Sequence, residues 1–373
     1  MKVALAALLV LTVFLQKSLG DKAKECVLDE CKIENNCRCT STEGPLSIDD
    51  TPQLIVLAFI DAARQETYDK IWSPLVESRK NPDGEFVSAS FYINHEYSNY
   101  QIVHDLATMG FEIGVHSVTN YHDQKYWREA SEELLEKEFG AQRKIIEKFA
   151  NIPTENLIGV LTPQLQLAGD NSILAFTSQG FTYDNSWPSK NSLFPYTLDY
   201  LSDQECIIGA NCPEQSYPGF WEAPIIDLVG NDGDVCNTLA GCFRKYPNLT
   251  SGEFSDWLVE QVDKVKTSNK APMTLIIEQN LFESVENSWD GLIDALDRIQ
   301  KDNQVFLVSQ ARVIEWMKNP VPLSEFTTNP VTIDTGCVKA ICDLLNEDNE
   351  ARTMISCVPC PKRYPWLDNP EGN

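Results

Sequence analysis

The chain has 373 residues, enough for one large α/β domain or two small ones. Its formal net charge of −25 excludes nucleic acid and anionic lipid as partners, since both are polyanionic and repelled. Acidity suits solubility and a neutral or cationic partner, and identifies neither.

The elements follow in chain order. Residues 1–20 read as a secretory signal: Lys2 gives the positive start, Val3 to Phe14 the apolar stretch, and Ser18 and Gly20 the small residues for cleavage. The apolar run is too short for a membrane anchor. Losing Lys2 and Lys17 with it takes the charge to −27 and predicts a secreted, extracellular protein without a membrane partner. Leu54–Phe59 reads as a first buried strand, Phe86–Ile93 as a second and Phe111–Val115 as a third. An amphipathic helix is expected over about 124–150, with Leu135, Phe139, Ile146 and Phe149 on one face. Leu157–Leu161 is a strand, Ile173–Phe176 part of a short helix, and Phe181–Tyr183 another strand. Residues 189–247 are irregular and rich in Pro, Gly, Asp and Cys, with apolar runs at Gly219–Trp221 and Pro224–Val229. A helix through Phe254 and Val265, a strand at Met273–Ile277, a helix at Leu292–Ile299, a strand at Val305–Val308 and a closing helix from Ala311 follow, ended by Pro320.

This alternation predicts an α/β fold with a parallel sheet, best fitted by a closed or nearly closed (β/α) barrel over 51–322. An open doubly wound sheet is the alternative, but no Gly-x-Gly-x-x-Gly follows any strand, which weighs against a dinucleotide site. The twelve cysteines fall in three groups of four, which in a secreted chain predicts disulfides. Their pairing does not follow from spacing. A zinc site at Cys357-Val358-Pro359-Cys360 is disfavoured because oxidation competes for the thiols. The Cys-containing extensions 21–50 and 323–373 read as clasps on the barrel. Asn248-Leu249-Thr250 is the only glycosylation sequon, expected on a surface loop.

In a parallel barrel the C-terminal ends of the strands share one mouth. Polar residues there are Asp61, His116, Asp184 and Glu278, while Leu161 ends its strand with an apolar residue. Asp61, Asp184 and Glu278 alone fit a carboxylate-based sugar hydrolase. Each could equally be a solvated loop carboxylate or a helix cap, and His116 a satisfied core histidine. His95, His104 and His122 have no metal-ligand spacing with one another.

Several longer motifs carry a resemblance. They are Thr51-Pro52-Gln53-Leu54, Ser90-Phe91-Tyr92, Glu112 to Ser117, Phe194 to Tyr200, Phe220 to Pro224, Glu315 to Pro320, and Ser356 to Pro361 with Tyr364 to Leu367. Over nearly the whole mature chain the sequence resembles the secreted insect chitin deacetylases, which carry the polysaccharide deacetylase (carbohydrate esterase family 4) domain. The resemblance implies a distorted (β/α) barrel of seven or eight strands. It also implies a divalent metal, usually zinc, on one Asp and two His, polarising an acetamide carbonyl and binding the attacking water. A separate Asp takes the water's proton, an Arg orients that base, and a His elsewhere protonates the leaving amine.

Carried over by position, the chemistry does not match. The family's T-F-D-D reads Ala58-Phe59-Ile60-Asp61, so the base position is Ile60 and the metal Asp is Asp61. H-S/T-x-x-H reads His116-Ser117-Val118-Thr119-Asn120, so one metal His is Asn120. R-x-P-F/Y reads Leu161-Thr162-Pro163-Gln164, with the Arg replaced by Leu161. No His stands in 271–283, where the acid is expected and Glu278 lies. Asp184 loosely matches a fourth motif. An Ile takes no proton, so base catalysis worth ~100–10,000-fold is lost. Weakened metal support costs ~10–100-fold in affinity per group.

The expectation is therefore a monomeric, secreted, deacetylase-like protein that binds chitin or chitin oligosaccharides, with zinc absent or weak. Trp127, Trp187, Tyr196 and Trp221, with Tyr126, are the aromatic candidates for packing on sugar faces. An active metal-dependent deacetylase with a rebuilt site and the carboxylate hydrolase are the alternatives. The chain has neither a six-cysteine chitin-binding module nor a low-density-lipoprotein-receptor-like module, and so resembles the short type linked to gut secretions and the peritrophic lining.

Overall fold

The computed structural model describes residues 22–373, so the expected signal segment lies outside the described residues. The central strand β1 (Gln53–Phe59) is buried along its whole length. That is why it reads as an unbroken apolar run: a parallel strand covered on both faces has no solvated side to alternate with. Eight further strands share its sheet: β2 (Ser90–Asn94), β3 (Glu112–Ser117), β4 (Gly159–Val160), β5 (Tyr183–Asp184), β6 (Tyr196–Leu198), β7 (Tyr217–Glu222), β8 (Met273–Ile277) and β9 (Val305–Leu307). Their order is β8-β1-β2-β3-β4-β5-β7-β6, with β9 also paired to β1. Every pairing is parallel except β6 with β7.

The sheet curls into a distorted (β/α) barrel that stays open. Its ends, β8 and β6, do not pair. The irregular stretch 223–243 lies along the gap, where Leu239 N–H donates to the Ile276 carbonyl at 3.1 Å and Ile225–Ile226 forms a short separate strand. Of the closed and nearly closed forms expected, the nearly closed, distorted one holds. The strand–helix alternation lapses between about 189 and 247, and a barrel needs an unbroken set to close.

Two other expectations shift. The second strand starts at Ser90, not Phe86, whose ring is exposed under Lys80. The helix expected over 124–150 is broken after Arg128. It restarts from an N-cap at Ser131, whose Oγ accepts from Leu134 N, and contains a π-turn at Glu136–Gly140. That extra residue in the turn rotates Glu138 into the interior.

The twelve cysteines form six disulfides: Cys26–Cys39, Cys31–Cys37, Cys206–Cys212, Cys236–Cys242, Cys337–Cys357 and Cys342–Cys360. The C-terminal pair staples a hairpin absent from the sequence reading, β10 (Ala340–Leu345) with β11 (Ala351–Ser356). It docks on the barrel through Cys357 N–H to the Phe149 carbonyl at 2.8 Å and through an Arg352–Glu96 ion pair at 3.0 Å. No helix among the described residues is long and apolar enough to cross a membrane.

Candidate functional site

The C-terminal ends of β1, β3, β4 and β8 open on a cleft of about 730 Å³. Ile60, Asp61, His116, Asn120, Thr162 and Glu278 all line it. Phe59 is paired in register with Ile277, which sets Ile60 opposite Glu278 and Asp61 one residue beyond.

His116 is buried, and its Nδ1 donates to the Leu161 carbonyl at 2.6 Å. A carbonyl only accepts, so the neutral ring carries its lone pair on Nε2. Burial pushes the imidazole down to about 4, against the opposing pull of the Leu161 carbonyl and the Asn120 side chain. Asp61 Oδ2 accepts from Gln279 N–H at 2.7 Å. Burial pushes this carboxyl up to about 7; the Gln279 N–H and Arg64 pull it down, and Glu278 adds to the rise. Burial likewise raises Glu278, opposed by a bond from Thr238. Asn120 has left-handed backbone (φ 45°) and its N–H donates to Ser117 Oγ at 2.9 Å.

Other predicted residues lie elsewhere. Leu161 is fully buried, and only its carbonyl serves the cleft. Asp184 does not reach the mouth. It is fully buried opposite Glu222 on the neighbouring strand, with Ser186 Oγ donating to Oδ1. The aromatic candidates are corrected outright: Trp127, Trp187, Tyr196 and Trp221 are each at most 1% exposed. Their polar atoms are spent internally, on the Tyr121 carbonyl, the Glu205 carbonyl, Gln204 Oε1 and Asn36 Oδ1 respectively. A ring without an exposed face cannot stack on a sugar. Tyr126 is half-buried and donates to Glu138 at 2.7 Å. Asn248 is exposed, two residues before the helix N-cap Thr250.

Sequence reasoning missed two contributors. Glu138, fully buried, accepts from Thr119 N–H at 3.0 Å, Thr119 Oγ1 at 2.6 Å and Tyr126 OH, and so clamps the loop that carries Asn120. Helical periodicity hid it, because the π-turn offsets the register. Thr162 is buried at the cleft with no hydrogen-bond partner for Oγ1.

The resemblance implies zinc, which needs donor atoms that converge on one point. Among the described residues, the only convergent trio of His, Cys, Asp or Glu ligand atoms is Cys26, Cys31 and Cys39, all in disulfides. At the family's metal positions the cleft offers the Asp61 carboxylate, the His116 imidazole and the neutral amide of Asn120, while His122, Asp232, Asp234 and Glu278 stand elsewhere on its lining. These residues do not make the family's Asp-His-His set, and no chemical step is routed through a metal.

The chain is 33% identical over 364 residues to chitin deacetylase 8 of Bombyx mori, covering 94% of each. It is 30% identical over 374 residues to chitin deacetylase 1 of Bombyx mori, covering 94% of this chain and 68% of that one. No family model matches the sequence. Among solved structures, a polysaccharide deacetylase from Mycobacterium smegmatis overlays with a TM-score of 0.49 at 13% identity, covering 80% of this chain and 99% of that one. A family 4 carbohydrate esterase from Streptomyces lividans overlays with a TM-score of 0.39 at 9% identity, covering 69% and 92%. On its relation to the two Bombyx proteins, the chain belongs to the chitin deacetylase family.

Proposed function

We propose that this is a secreted chitin deacetylase-like protein that holds chitin or its oligosaccharides in the cleft and has lost most or all deacetylase turnover. The observation that carries the reading is Ile60, an aliphatic side chain lining the cleft beside Asp61 where the family's proton acceptor stands. A hydrocarbon accepts no proton, and the ~100–10,000-fold of base catalysis goes with it. Asn120 in place of a ligand His weakens zinc in parallel. The mature protein is taken as an extracellular monomer, with the barrel at 51–322 as the binding unit and the flanking segments as its clasps.

The test is metal content together with acetate release from chitin oligosaccharides, with and without added zinc. No stoichiometric zinc, no acetate and retention on insoluble chitin support the reading. One zinc per chain with chelator-sensitive acetate release overturns it in favour of a rebuilt active site. A second reading has an observation of its own: Glu278 lines the cleft with Asp61, and burial raises its carboxyl, as the general acid of sugar hydrolysis requires. It predicts metal-independent cleavage of the glycosidic bond that Glu278→Gln abolishes.

A further inference from the structure

The cleft continues beyond Asp61. Asp61 and Asn280 also border a second hollow lined by Ala62, Arg64, Gln279 and Glu283. Arg64 in turn borders a third, with Tyr97, Ser98 and Asn99 on one side and Thr353 and Ile355 of β11 on the other. Three hollows that share Asp61, Asn280 and Arg64 between neighbours thus lead from the cleft to the C-terminal hairpin.

Tyr97 stands out at their far end. Its side chain is 58% exposed, while its backbone is left-handed (φ 68°), a conformation bulky residues rarely adopt. The surrounding loop over-determines that conformation. His95 N–H donates to the Ser117 carbonyl at 3.2 Å and Ser98 Oγ to the Asn94 carbonyl at 2.6 Å. Ala63 N–H donates to Ser98 Oγ at 3.1 Å. The Arg64 guanidinium lies 5.1 Å from the Tyr97 ring centre. The far wall is equally fixed, since β11 bridges Asn99 at Ile355 and its Arg352 pairs with Glu96. Strained backbone held this firmly is a ground for a hypothesis of function. What it presents is an aromatic face flanked by a cation, by the Ile355 alkyl groups of β11 and by Thr353 Oγ1, which donates to Asp343 Oδ1 at 3.0 Å and is left as an acceptor. Such a mixture of a flat apolar plate and hydrogen-bonding groups suits a pyranose ring, whose faces are C–H and whose rim is hydroxyl.

We propose that Tyr97, with Arg64 and the C-terminal hairpin, forms a distal sugar subsite that takes a further ring of an N-acetylglucosamine oligosaccharide reaching along these hollows from the cleft. The assignment rests on the chitin-binding reading above. It moves the aromatic platform from the buried tryptophans to a residue outside the barrel core and gives the hairpin a part in binding.

The experiment is calorimetric titration of the full secreted protein with N-acetylglucosamine oligomers of increasing length. Wild-type affinity is expected to rise with length. Tyr97→Asn, which tolerates left-handed backbone, is expected to cut affinity for the longer oligomers roughly five- to tenfold and leave the shortest unchanged. Tyr97→Phe, which keeps the ring, retains wild-type affinity. An unchanged length profile in Tyr97→Asn overturns the distal subsite while chitin binding stands. Failure of the wild type to bind any length overturns the chitin-binding reading and takes the subsite with it.

Discussion

Asn120 is the position where one substitution speaks most directly to the chemistry. It lines the cleft with Asp61 and His116, on a loop held by Ser117 and Glu138. Asn120→His supplies the missing imidazole on a loop already fixed. Zinc affinity is expected to tighten ~10–100-fold, read by calorimetry with zinc alone. Unaltered affinity removes Asn120 from the donor set. Acetate release is expected to stay negligible until Ile60→Asp is added, because the two changes restore different functions. The interior acid pair makes a separate prediction. With both groups ionised, neither Glu222 oxygen has a hydrogen-bond partner; protonated, Glu222 donates to Asp184. Burial pushes Asp184 up to about 7 and Glu222 well above the carboxylate range. Both folded values exceed the unfolded values near 4, so the folded state binds extra protons between about pH 4 and 7. The pair's contribution is whole below about pH 4 and is lost as pH rises through about 7. Glu222→Gln cannot ionise, so its urea midpoint relative to wild type is expected to be higher at pH 8 than at pH 4. A difference that does not change with pH rejects the pair as a titrating unit. At this scale the site was legible where strand ends and motif positions coincide, as at Ile60, Asp61, His116 and Glu278. It was illegible for the tryptophans, since an aromatic residue reads the same in a string whether it faces a cleft or a core.

Elements show the same division. β1 and β8 were plain in the sequence because apolar runs bounded by polar residues specify buried parallel strands. The hairpin β10–β11 was not, because its alternation is masked by charges and its position is set by two disulfides. The helix break after Arg128 and the π-turn were hidden as well, and with them Glu138. Removing that clamp by Glu138→Ala leaves the Thr119 N–H, Thr119 Oγ1 and Tyr126 OH without their acceptor. A loss of ~2–4 kcal/mol is expected in urea unfolding. A loss under ~0.5 kcal/mol means the loop holds itself. The helix Ser251–Ser268 carries a separate test. Thr250 closes a capping box with Glu253 and is also the third residue of the sequon. Thr250→Ala is expected to cost ~1 kcal/mol and to abolish glycan at Asn248. Asn248→Gln removes the glycan alone, and Thr250→Ser preserves both. Equal destabilisation by Asn248→Gln and Thr250→Ala assigns the effect to the sugar and not the cap.

For the whole molecule, a net charge of −25 sits beside a proposed ligand without charge. Binding to neutral chitin releases no counterions, so affinity is expected to stay level between about 50 mM and 200 mM salt. A steep fall with salt points to a cationic ligand instead. The fold class was legible at this scale through the repeating strand–helix pattern; the opening of the barrel was not, because the segment that leaves the gap has no periodicity to read. The six disulfides share one property: none joins residues more than 20 positions apart. Closing loops that short costs little chain entropy. During synthesis each bridge therefore needs only a neighbouring partner, already made, and none waits for distant chain to arrive. The sheet, whose β1 must find β8 more than two hundred residues later, is then expected to assemble around segments already cross-linked. Order of emergence, more than selection among many possible cysteine partners, then governs how this chain reaches its native pairing.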